Sequence, residues 1–388
     1  MSRPFVRPTL SALALVALAA CVPVAPPSSS PPPPPPPQPV AQYCAPSVPS
    51  SPAGYQAAFD NLRYTYTEWA SADGSVPIPL PDGRILWLFG DTYIGKVLPG
   101  GAISPATQLE HNSFVVQTGA CFAPQMGGGP FARTERIADP APGEFYWPAS
   151  GVVDGSTVKV FLYHVRNAPP PLGFTILGMR LATLSLPGLA VQSITNLPVA
   201  APPGVFYGVT TTLVGSTVYA YGHRDRSAYV ARAPLTQLAT PGAWEYWGNS
   251  AWVRDPGLAV PLGFSSMPSI DRAFGSGAGP LAVLSVQAYG TGYLGTAKLV
   301  DAFSDDVSAF TAPAPEGPWT YHGRVHTTPT GGLSTYGSML PMGLPGVTGP
   351  TVVYSTNDFP FDSYVPSPSI TVYGPRFVSP NPGSLPPP

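Results

Sequence analysis

Two aspartates at one end of a predicted β-hairpin are the residues whose type and spacing best suit catalysis. The hairpin surrounds an Asp82-Gly83 pair, which favours a two-residue type I′ turn. With that turn, Val76 pairs with Phe89. Asp73 and Asp91 then both emerge at the end of the hairpin away from the turn. Strict alternation sends their side chains to opposite faces, so we expect at least one of them to lie past the regular strand.

Two carboxyl groups about 5–10 Å apart are the minimum apparatus for hydrolysing a glycosidic bond. Asp91 follows the apolar residues 87–90, a setting that suits a general acid. Asp73 lies between an alanine and a glycine, and its more solvated setting suits a general base or nucleophile. The alternative is that both are ordinary turn aspartates that accept nearby backbone N–H groups.

Six further residues are candidates for contacts with a substrate: His111, Asn112, Trp147, His223, Arg224 and His326. The first two suit hydrogen bonds to hydroxyl groups, although a buried structural pair is an equal alternative. Trp147 suits stacking on a sugar ring, with packing between strands as its alternative. The last three are candidates only because they lie near strand ends. A third carboxylate from Glu68, Glu110 or Glu144 is a further option, with a solvated loop position as the alternative for each.

A repeated strand pattern predicts the elements that position these residues. An apolar strand, a glycine-containing turn and a second apolar strand occur five times, at residues 76–91, 149–165, 207–224, 266–287 and 336–357. Third and fourth strand-like stretches follow most copies, and the copies recur about every 60–70 residues, as propeller blades do. We therefore predict an all-β fold, a five-bladed β-propeller of four-stranded antiparallel blades. An alternating stretch, Leu62–Trp69, is predicted to close the ring by joining the last blade; a β-sandwich is the alternative fold.

The composition supports this fold class and excludes others. The chain has 388 residues, of which 55 are proline and 41 glycine, and this argues against a helical bundle. Charged residues make up only 10%, with a net charge of −2 and three lysines. Such a chain has no basic stripe that could neutralise phosphates, so we expect no nucleic-acid partner. We expect a monomer that binds a polysaccharide or other glycan.

The N-terminus resembles a bacterial lipoprotein signal. Two arginines precede an apolar run that is too short to span a bilayer and that ends at Cys21. We predict a signal peptide at 1–20, lipidation of Cys21, an uncharged proline-rich tether at 21–54, the propeller at 55–378 and a proline-rich tail at 379–388. The protein is then extracytoplasmic, at the outer membrane or cell surface, with the lipid as its only membrane contact. An ordinary signal peptide cut nearby is the alternative.

Two cysteines remain once Cys21 is lipidated. Outside the cytoplasm, Cys44 and Cys121 are predicted to form a disulfide, with two buried thiols as the alternative. No cluster of Cys or His has the spacing of metal ligands, so we predict neither a metal nor another cofactor.

The residues around the first hairpin carry a family resemblance. The run from Ala72 to Thr92 resembles a bacterial family of glycosidase-like five-bladed propellers. Many members carry only a domain-of-unknown-function label, and some relatives are endo-D-arabinofuranases. Shorter matching runs are residues 111–117, 146–148 and 229–232. The resemblance implies a propeller and a carbohydrate-directed activity. The resulting hypothesis is a surface-anchored glycoside hydrolase of a furanose polysaccharide such as D-arabinan; the alternative is a non-catalytic propeller that binds glycan or protein.

Overall fold

The computed structural model describes residues 42–64, 69–129, 132–169, 173–198, 204–224, 227–266, 284–299, 304–329, 333–339, 344–358 and 367–388. Nearly all of its regular elements are strands. Within these ranges the single α-helix is α1 (Pro52–Tyr64), and three short 3₁₀ turns occur at Pro99–Gly101, Leu235–Gln237 and Pro256–Leu258. Cys21, the signal peptide, most of the tether and Glu68 lie outside the described residues.

The strands form five separate sheets that follow one another along the chain. Blade one contains β1 (Tyr43–Cys44), β2 (Trp69–Pro79), β3 (Ile85–Ile94), β4 (Gln108–Glu110), β5 (Ser113–Thr118) and β6 (Cys121–Gln125). A small ribbon of β7 (Gly127–Gly129) and β8 (Ala132–Thr134) leads to blade two. Blade two contains β9 (Glu144–Asp154), β10 (Thr157–Asn167), β11 (Phe174–Ser185) and β12 (Val191–Asn196).

The remaining three blades vary more in strand number. Blade three contains β13 (Thr210–Val214), β14 (Thr217–Arg224), β15 (Ser227–Pro234), β16 (Glu245–Trp247) and β17 (Trp252–Val253). Blade four contains β18 (Phe264–Ser265), β19 (Ser285–Tyr289), β20 (Gly292–Ala297), β21 (Asp306–Ala312) and β22 (Trp319–Thr327). Blade five contains β23 (Ser334–Met339), β24 (Val352–Asn357) and β25 (Gly374–Val378). All pairs are antiparallel except β18 with β22.

The predicted five-bladed β-propeller is confirmed, although the blades are not uniformly four-stranded. The predicted hairpins of blades one, two, three and five match observed strand pairs. The hairpin predicted for blade four is wrong, because residues 285–289 pair with residues 292–297 and so form the first strand rather than the second. The turn predicted for that hairpin lies outside the described residues. Glycines occur on both sides of residue 285, so the glycine signal alone did not select the correct turn.

The hydrophobic core is divided among the spaces between neighbouring blades. One cluster joins each consecutive pair of blades, as in the cluster that contains Leu88 from blade one and Val160 from blade two. A cavity of about 140 Å³ lies where the first strands of blades one to four meet, lined in part by Val76, Ser150, Thr210 and Gln287. This arrangement makes β2 an inner strand, and β2 also carries Asp73.

Helix α1 occupies the position at which a closing strand was predicted. Residues 62–64 of the predicted strand form its last turn, so that part of the prediction is wrong. The helix buries Tyr55, Phe59 and Leu62, whose spacing of four and three residues makes one helical face. These side chains pack between Trp87 of blade one and Phe377 of blade five. The apolar helical period therefore outweighs the strand-like alternation at residues 62–64.

Both ends of the described chain pack on the propeller. The predicted disulfide is confirmed, since Cys44 is bonded to Cys121 and β1 pairs with β6. The folded part therefore begins before the predicted boundary at residue 55. In the predicted tail, the carbonyl of Pro386 accepts a 2.7 Å hydrogen bond from the Tyr289 hydroxyl of blade four. Within the described ranges, no helix is both long and apolar enough to cross a membrane.

Candidate functional site

The first hairpin positions Asp73 through a register that differs from the prediction by one residue. Val76 pairs with Leu88 rather than with Phe89. The turn is one residue longer than expected, and the N–H of Leu80 donates to the carbonyl of Arg84 at 2.8 Å. A proline at the first position of the turn and a glycine with φ of +84° at its end favour this longer loop.

A bulge in β2 then re-aims Asp73 inside the strand. The register shifts between Ala72 and Gly74, and again between Gly74 and Val76, so Asp73 has no pairing partner on β3. Gly74 has a φ of +92°, and a Cβ on it would lie 3.1 Å from the backbone nitrogen of Gly90. The expectation that one aspartate lies past the regular strand is therefore wrong, because β2 and β3 include both and the bulge changes the direction of Asp73.

The close approach of the two strands brings the aspartates together. A Cβ on Gly90 would lie 2.5 Å from Oδ1 of Asp73, so only glycine fits at that position. The backbone N–H of Asp91 donates to the Asp73 carboxylate. Covalent geometry then places the two carboxyl carbons within about 10 Å of each other, the range that glycoside hydrolysis requires.

Asp73 is a half-buried carboxyl group held by two tyrosines of the last blade. The Tyr336 hydroxyl donates to its Oδ2 at 2.8 Å, and the Tyr373 hydroxyl is within hydrogen-bond reach of the same carboxyl group. Burial and the negative charge of Asp91 raise the pKa of Asp73 to about 7, and the tyrosine hydrogen bonds lower it only in part. Asp73 therefore carries a proton for part of the time at neutral pH.

Asp91 has a different environment, in which two N–H groups point at one oxygen. The Trp147 indole donates to Oδ1 at 2.6 Å, and the His111 Nδ1 lies 3.0 Å from the same oxygen. Both groups can stabilise negative charge on that oxygen. Burial lowers the pKa of His111, but the hydrogen bond and charge of Asp91 outweigh it and leave that pKa above its usual value. The Asp91 side chain is 14% exposed.

Several aromatic rings pack against one another beside Asp91. The His111 ring stacks on Phe145, with centroids 3.6 Å apart and planes at 16°. The Trp147 ring meets Phe145 at 5.2 Å and Phe174 at 4.8 Å. Two of the predicted substrate-binding residues, His111 and Trp147, are thus placed at the carboxyl pair, with 28% of the His111 side chain exposed.

Asn112 is a structural residue, which corrects its prediction as a substrate ligand. It is fully buried. Its side-chain amide donates to the carbonyls of Ile137 and Tyr146 and accepts from the N–H of Ile137. All of its polar atoms therefore serve to connect blades one and two, and none faces a ligand.

The other three predicted substrate ligands lie in later blades. Arg224 of β14 donates to the Tyr229 hydroxyl at 3.1 Å and lies over that ring. Burial lowers the pKa of His223. Burial, and to a smaller extent the charge of Lys298, lowers the pKa of His326. The role of these three residues in binding stays a prediction.

A second group of carboxylates lies near His111. Burial, a hydrogen bond to Glu135 and the charge of Glu135 raise the pKa of Glu110 to about 7. Burial and the charge of Glu135 raise the pKa of Asp139 to about 6. Glu144 forms ion pairs with Arg166 and His164, each at 2.6 Å, so its carboxylate is paired within blade two. Across the described ranges, no group of three metal-ligating side chains is close enough to hold a metal ion.

Sequence reasoning missed the two tyrosines. Tyr336 opens the fifth repeat of the hairpin pattern, yet nothing in that pattern says that its hydroxyl reaches the first blade. Tyr373 belongs to no motif. Their sequence separation from Asp73 is about 260–300 residues, and only ring closure brings them together.

Comparison with known proteins identifies the family. A family model described as "Domain of unknown function (DUF5005)" matches residues 56–378. The chain belongs to this family. The DUF5005 match covers all five blades and confirms the resemblance inferred from residues 72–92. A search of the curated proteins found no match.

A search of the solved structures found matches to this DUF5005 protein. A putative hydrolase from Bacteroides ovatus ATCC 8483 aligns with a TM-score of 0.62 and 19% identity, covering 83% of this chain and 88% of that one. The GH43_1 enzyme from Xanthomonas citri complexed with xylose aligns with a TM-score of 0.48 and 13% identity, covering 84% and 93%. Its complex with xylotriose aligns with a TM-score of 0.49 and 11% identity, covering 80% and 86%. The Bacteroides structure is thus similar in fold over nearly the whole propeller.

Proposed function

We propose that this protein is a glycoside hydrolase that uses Asp73 and Asp91 to cleave a furanose polysaccharide, with D-arabinan as the first substrate to test. One observation carries the proposal: two neighbouring carboxyl groups have opposite environments. Asp73 is half-buried with a raised pKa of about 7, and Asp91 accepts two N–H donors. A pair that holds one proton at neutral pH is what acid–base cleavage of a glycosidic bond requires.

The surroundings of the two carboxyl groups support acid and base roles for Asp73 and Asp91 that are the reverse of those expected from their neighbours in the sequence. Asp73 is the general acid, because it is the carboxyl group that retains a proton near pH 7. Asp91 is the base or nucleophile, because the Trp147 and His111 donors stabilise its ionised form. The apolar residues before Asp91 do not surround its carboxyl group, since its side chain turns towards Trp147 and His111.

The surroundings of the pair support a neutral substrate. Glu110, Glu135 and Asp139 add negative charge near His111, which disfavours anionic sugars. The Trp147 ring and the partly exposed His111 ring provide aromatic surface beside Asp91. The similar Bacteroides ovatus protein is described as a putative hydrolase, which agrees with this reaction class.

Hydrolysis is tested with purified residues 41–388 and a panel of polysaccharides that begins with D-arabinan. We expect release of oligosaccharides by the wild type and loss of turnover in Asp73→Asn and Asp91→Asn, since an amide cannot exchange the proton. Asp154→Asn is the matched control, because Asp154 lies at the turn of β9 and β10, 3.9 Å from Lys159. Binding without cleavage over the whole panel, unchanged in both Asn variants, would contradict the proposal.

A second candidate is a non-catalytic propeller that binds glycan or protein. It is favoured by the enclosure of Asp73, whose carboxyl group already has hydrogen bonds from Tyr336 and the Asp91 backbone. Under this alternative the aspartates hold the blades together. Asn substitution then lowers the stability of the protein and leaves glycan affinity unchanged.

We further propose that Cys21 is lipidated and holds the protein at the cell envelope, on its outer side. The signal-like sequence before Cys21 and the Cys44–Cys121 disulfide, typical of an oxidising compartment, support this location. Replacing Cys21 by Ser should release the protein from isolated membranes. Continued membrane association of that variant would show that another feature anchors it.

A further inference from the structure

The last turn of helix α1 reaches the segment that carries Tyr373. We propose that Arg63 is a positioning residue for the carboxyl pair: it holds residues 370–374 where they keep the Tyr373 hydroxyl between Asp73 and Asp91. This role matters for catalysis only if the proposed function holds, but the contacts that define it do not depend on turnover.

Arg63 is an unusual residue for the inside of a helix–propeller contact. It is 2% exposed, and its Nη1 donates to the carbonyl of Ile370 at 2.9 Å. Its nearest carboxylate is the half-exposed Asp60 at 3.4 Å, and its Nε and Nη2 have no hydrogen-bond partner among the described residues. Burial lowers the pKa of Arg63 to about 10. Because a buried cation costs free energy unless all of its donors are paired, packing alone does not explain an arginine here.

The segment that Arg63 contacts is held in place from several sides. A Cβ on Gly374 would lie 2.4 Å from Nη2 of Arg63 and 2.8 Å from Oγ of Ser71, so the backbone lies directly against both side chains. The Ser71 hydroxyl donates to the carbonyl of Tyr373 at 2.7 Å. Ser71 is two residues before Asp73 on β2, so the same contact aligns the tyrosine with the aspartate.

The Tyr373 hydroxyl links the two catalytic candidates. It donates to the backbone carbonyl of Asp91 at 2.6 Å and lies within hydrogen-bond reach of the Asp73 carboxyl group. A phenol has one proton for these two acceptors. Its ring is fully buried and meets Tyr93 at 5.9 Å and 85°, so the hydroxyl cannot move without the backbone.

These contacts form a continuous path from α1 to the carboxyl pair. Arg63 sets the position of residues 370–374, and that position sets the distance from Tyr373 to Asp73. The groups that face Asp73 are Asp91 from β3, Tyr336 from β23 and Tyr373 from the segment before β25. Because the Tyr373 hydroxyl donates its one proton to the Asp91 carbonyl and lies beside the Asp73 carboxyl group, removing or moving this hydroxyl changes the polar surroundings of Asp73 and therefore its pKa.

The test is a titration of the Asp73 carboxyl carbon by ¹³C NMR in the full chain. We expect Tyr373→Phe to shift the Asp73 pKa, and Arg63→Met, which preserves the length of the side chain, to shift it in the same direction. If Arg63 acts through Tyr373, the double variant shows the shift of Tyr373→Phe alone rather than the sum of two shifts. If Arg63→Met does not fold, Arg63→Lys replaces it, because lysine keeps the charge but not the planar guanidinium.

Matched controls remove similar groups elsewhere. Tyr221→Phe removes a buried hydroxyl that donates to a backbone carbonyl between blades three and four, and Arg232→Met removes an arginine paired with Glu245 in blade three. Both should leave the Asp73 titration unchanged.

The titration and the polysaccharide assay give separable answers. An unchanged Asp73 pKa in a folded Arg63 variant overturns the positioning role, even if the wild type hydrolyses D-arabinan. A shifted pKa supports the positioning role even if no polysaccharide is cleaved, and in that case only the proposed function fails. Equal shifts in the Tyr221 and Arg232 controls also overturn it, since the effect is then not specific to this path.

Discussion

Asp73 and Asp91 lie on paired strands, yet their carboxyl groups have different surroundings. Asp73 has a usual pKa near 3.8 in the unfolded chain and about 7 in the folded protein. The folded state therefore binds the proton more tightly, and the stability that this supplies at acidic pH is lost as the pH rises through about 7. At pH 8 the wild type retains a buried, partly compensated charge.

Replacing Asp73 by Asn should remove this pH dependence. We expect Asp73→Asn to exceed the wild type in free energy of unfolding by about 2–4 kcal/mol at pH 8, and by much less at pH 4. Urea unfolding at both pH values measures the difference, with Asp154→Asn as the control. The same difference at pH 4 and pH 8 would show that Asp73 is not protonated in the folded protein near neutrality.

Tyr336 provides a second residue-scale test. Its hydroxyl donates to Asp73 and lowers the pKa of that carboxyl group. Tyr336→Phe should therefore raise the Asp73 pKa further. If Asp73 is the general acid, the alkaline limb of the pH–rate profile shifts to higher pH while the acidic limb stays in place. A shift of the acidic limb alone would instead assign Asp73 as the base.

At the scale of elements, the contact between β2 and β3 determines whether the pair forms at all. Gly90→Ala should push the Asp73 side chain away, because the new Cβ would lie 2.5 Å from its Oδ1. We expect a loss of turnover of about 100-fold or more and a destabilisation of about 1–3 kcal/mol. Gly188→Ala is the control, since a Cβ there meets no atom within 4 Å. Turnover equal to that of the control would mean that the bulge tolerates a shifted Asp73.

At the scale of the whole molecule, the ring is closed by a helix and an outer-strand disulfide as well as by blades. Helix α1 packs between blades one and five, and Cys44–Cys121 ties the chain before the helix to β6. The disulfide closes a loop of 77 residues, which on chain-entropy grounds stabilises the fold by about 4 kcal/mol.

Removing the disulfide should therefore lower stability without abolishing the fold. We expect the Cys44→Ala/Cys121→Ala double variant to unfold at a lower urea concentration than the oxidised wild type. Reduction of the wild type should reproduce that shift, and the reductant should not affect the double variant. Identical unfolding of all four samples would show that the neighbouring contacts of β1 and α1 suffice.

Much of the architecture follows from local sequence. Four of five hairpins, the strand at residues 113–117 and the pairing of Cys44 with Cys121 were predictable. Alternating apolar residues and glycine turns depend on residues that are close in sequence, so they can be recognised from a single sequence. The residues of the site were predictable in part: Asp73, Asp91, His111 and Trp147 lie in or beside the first two hairpins, and each of these hairpins is recognisable alone.

The tertiary structure decided the properties of those residues. Whether Asp73 holds a proton depends on Tyr336, Tyr373 and the charge of Asp91, and the tyrosines come from the far end of the chain. Local patterns also misassigned residues 62–64, because the strand and helix periods overlap there and only packing between the first and last blades selects the helix. Burial and hydrogen bonds between distant segments form only when the ring closes, whereas a hairpin forms between residues that are close in sequence.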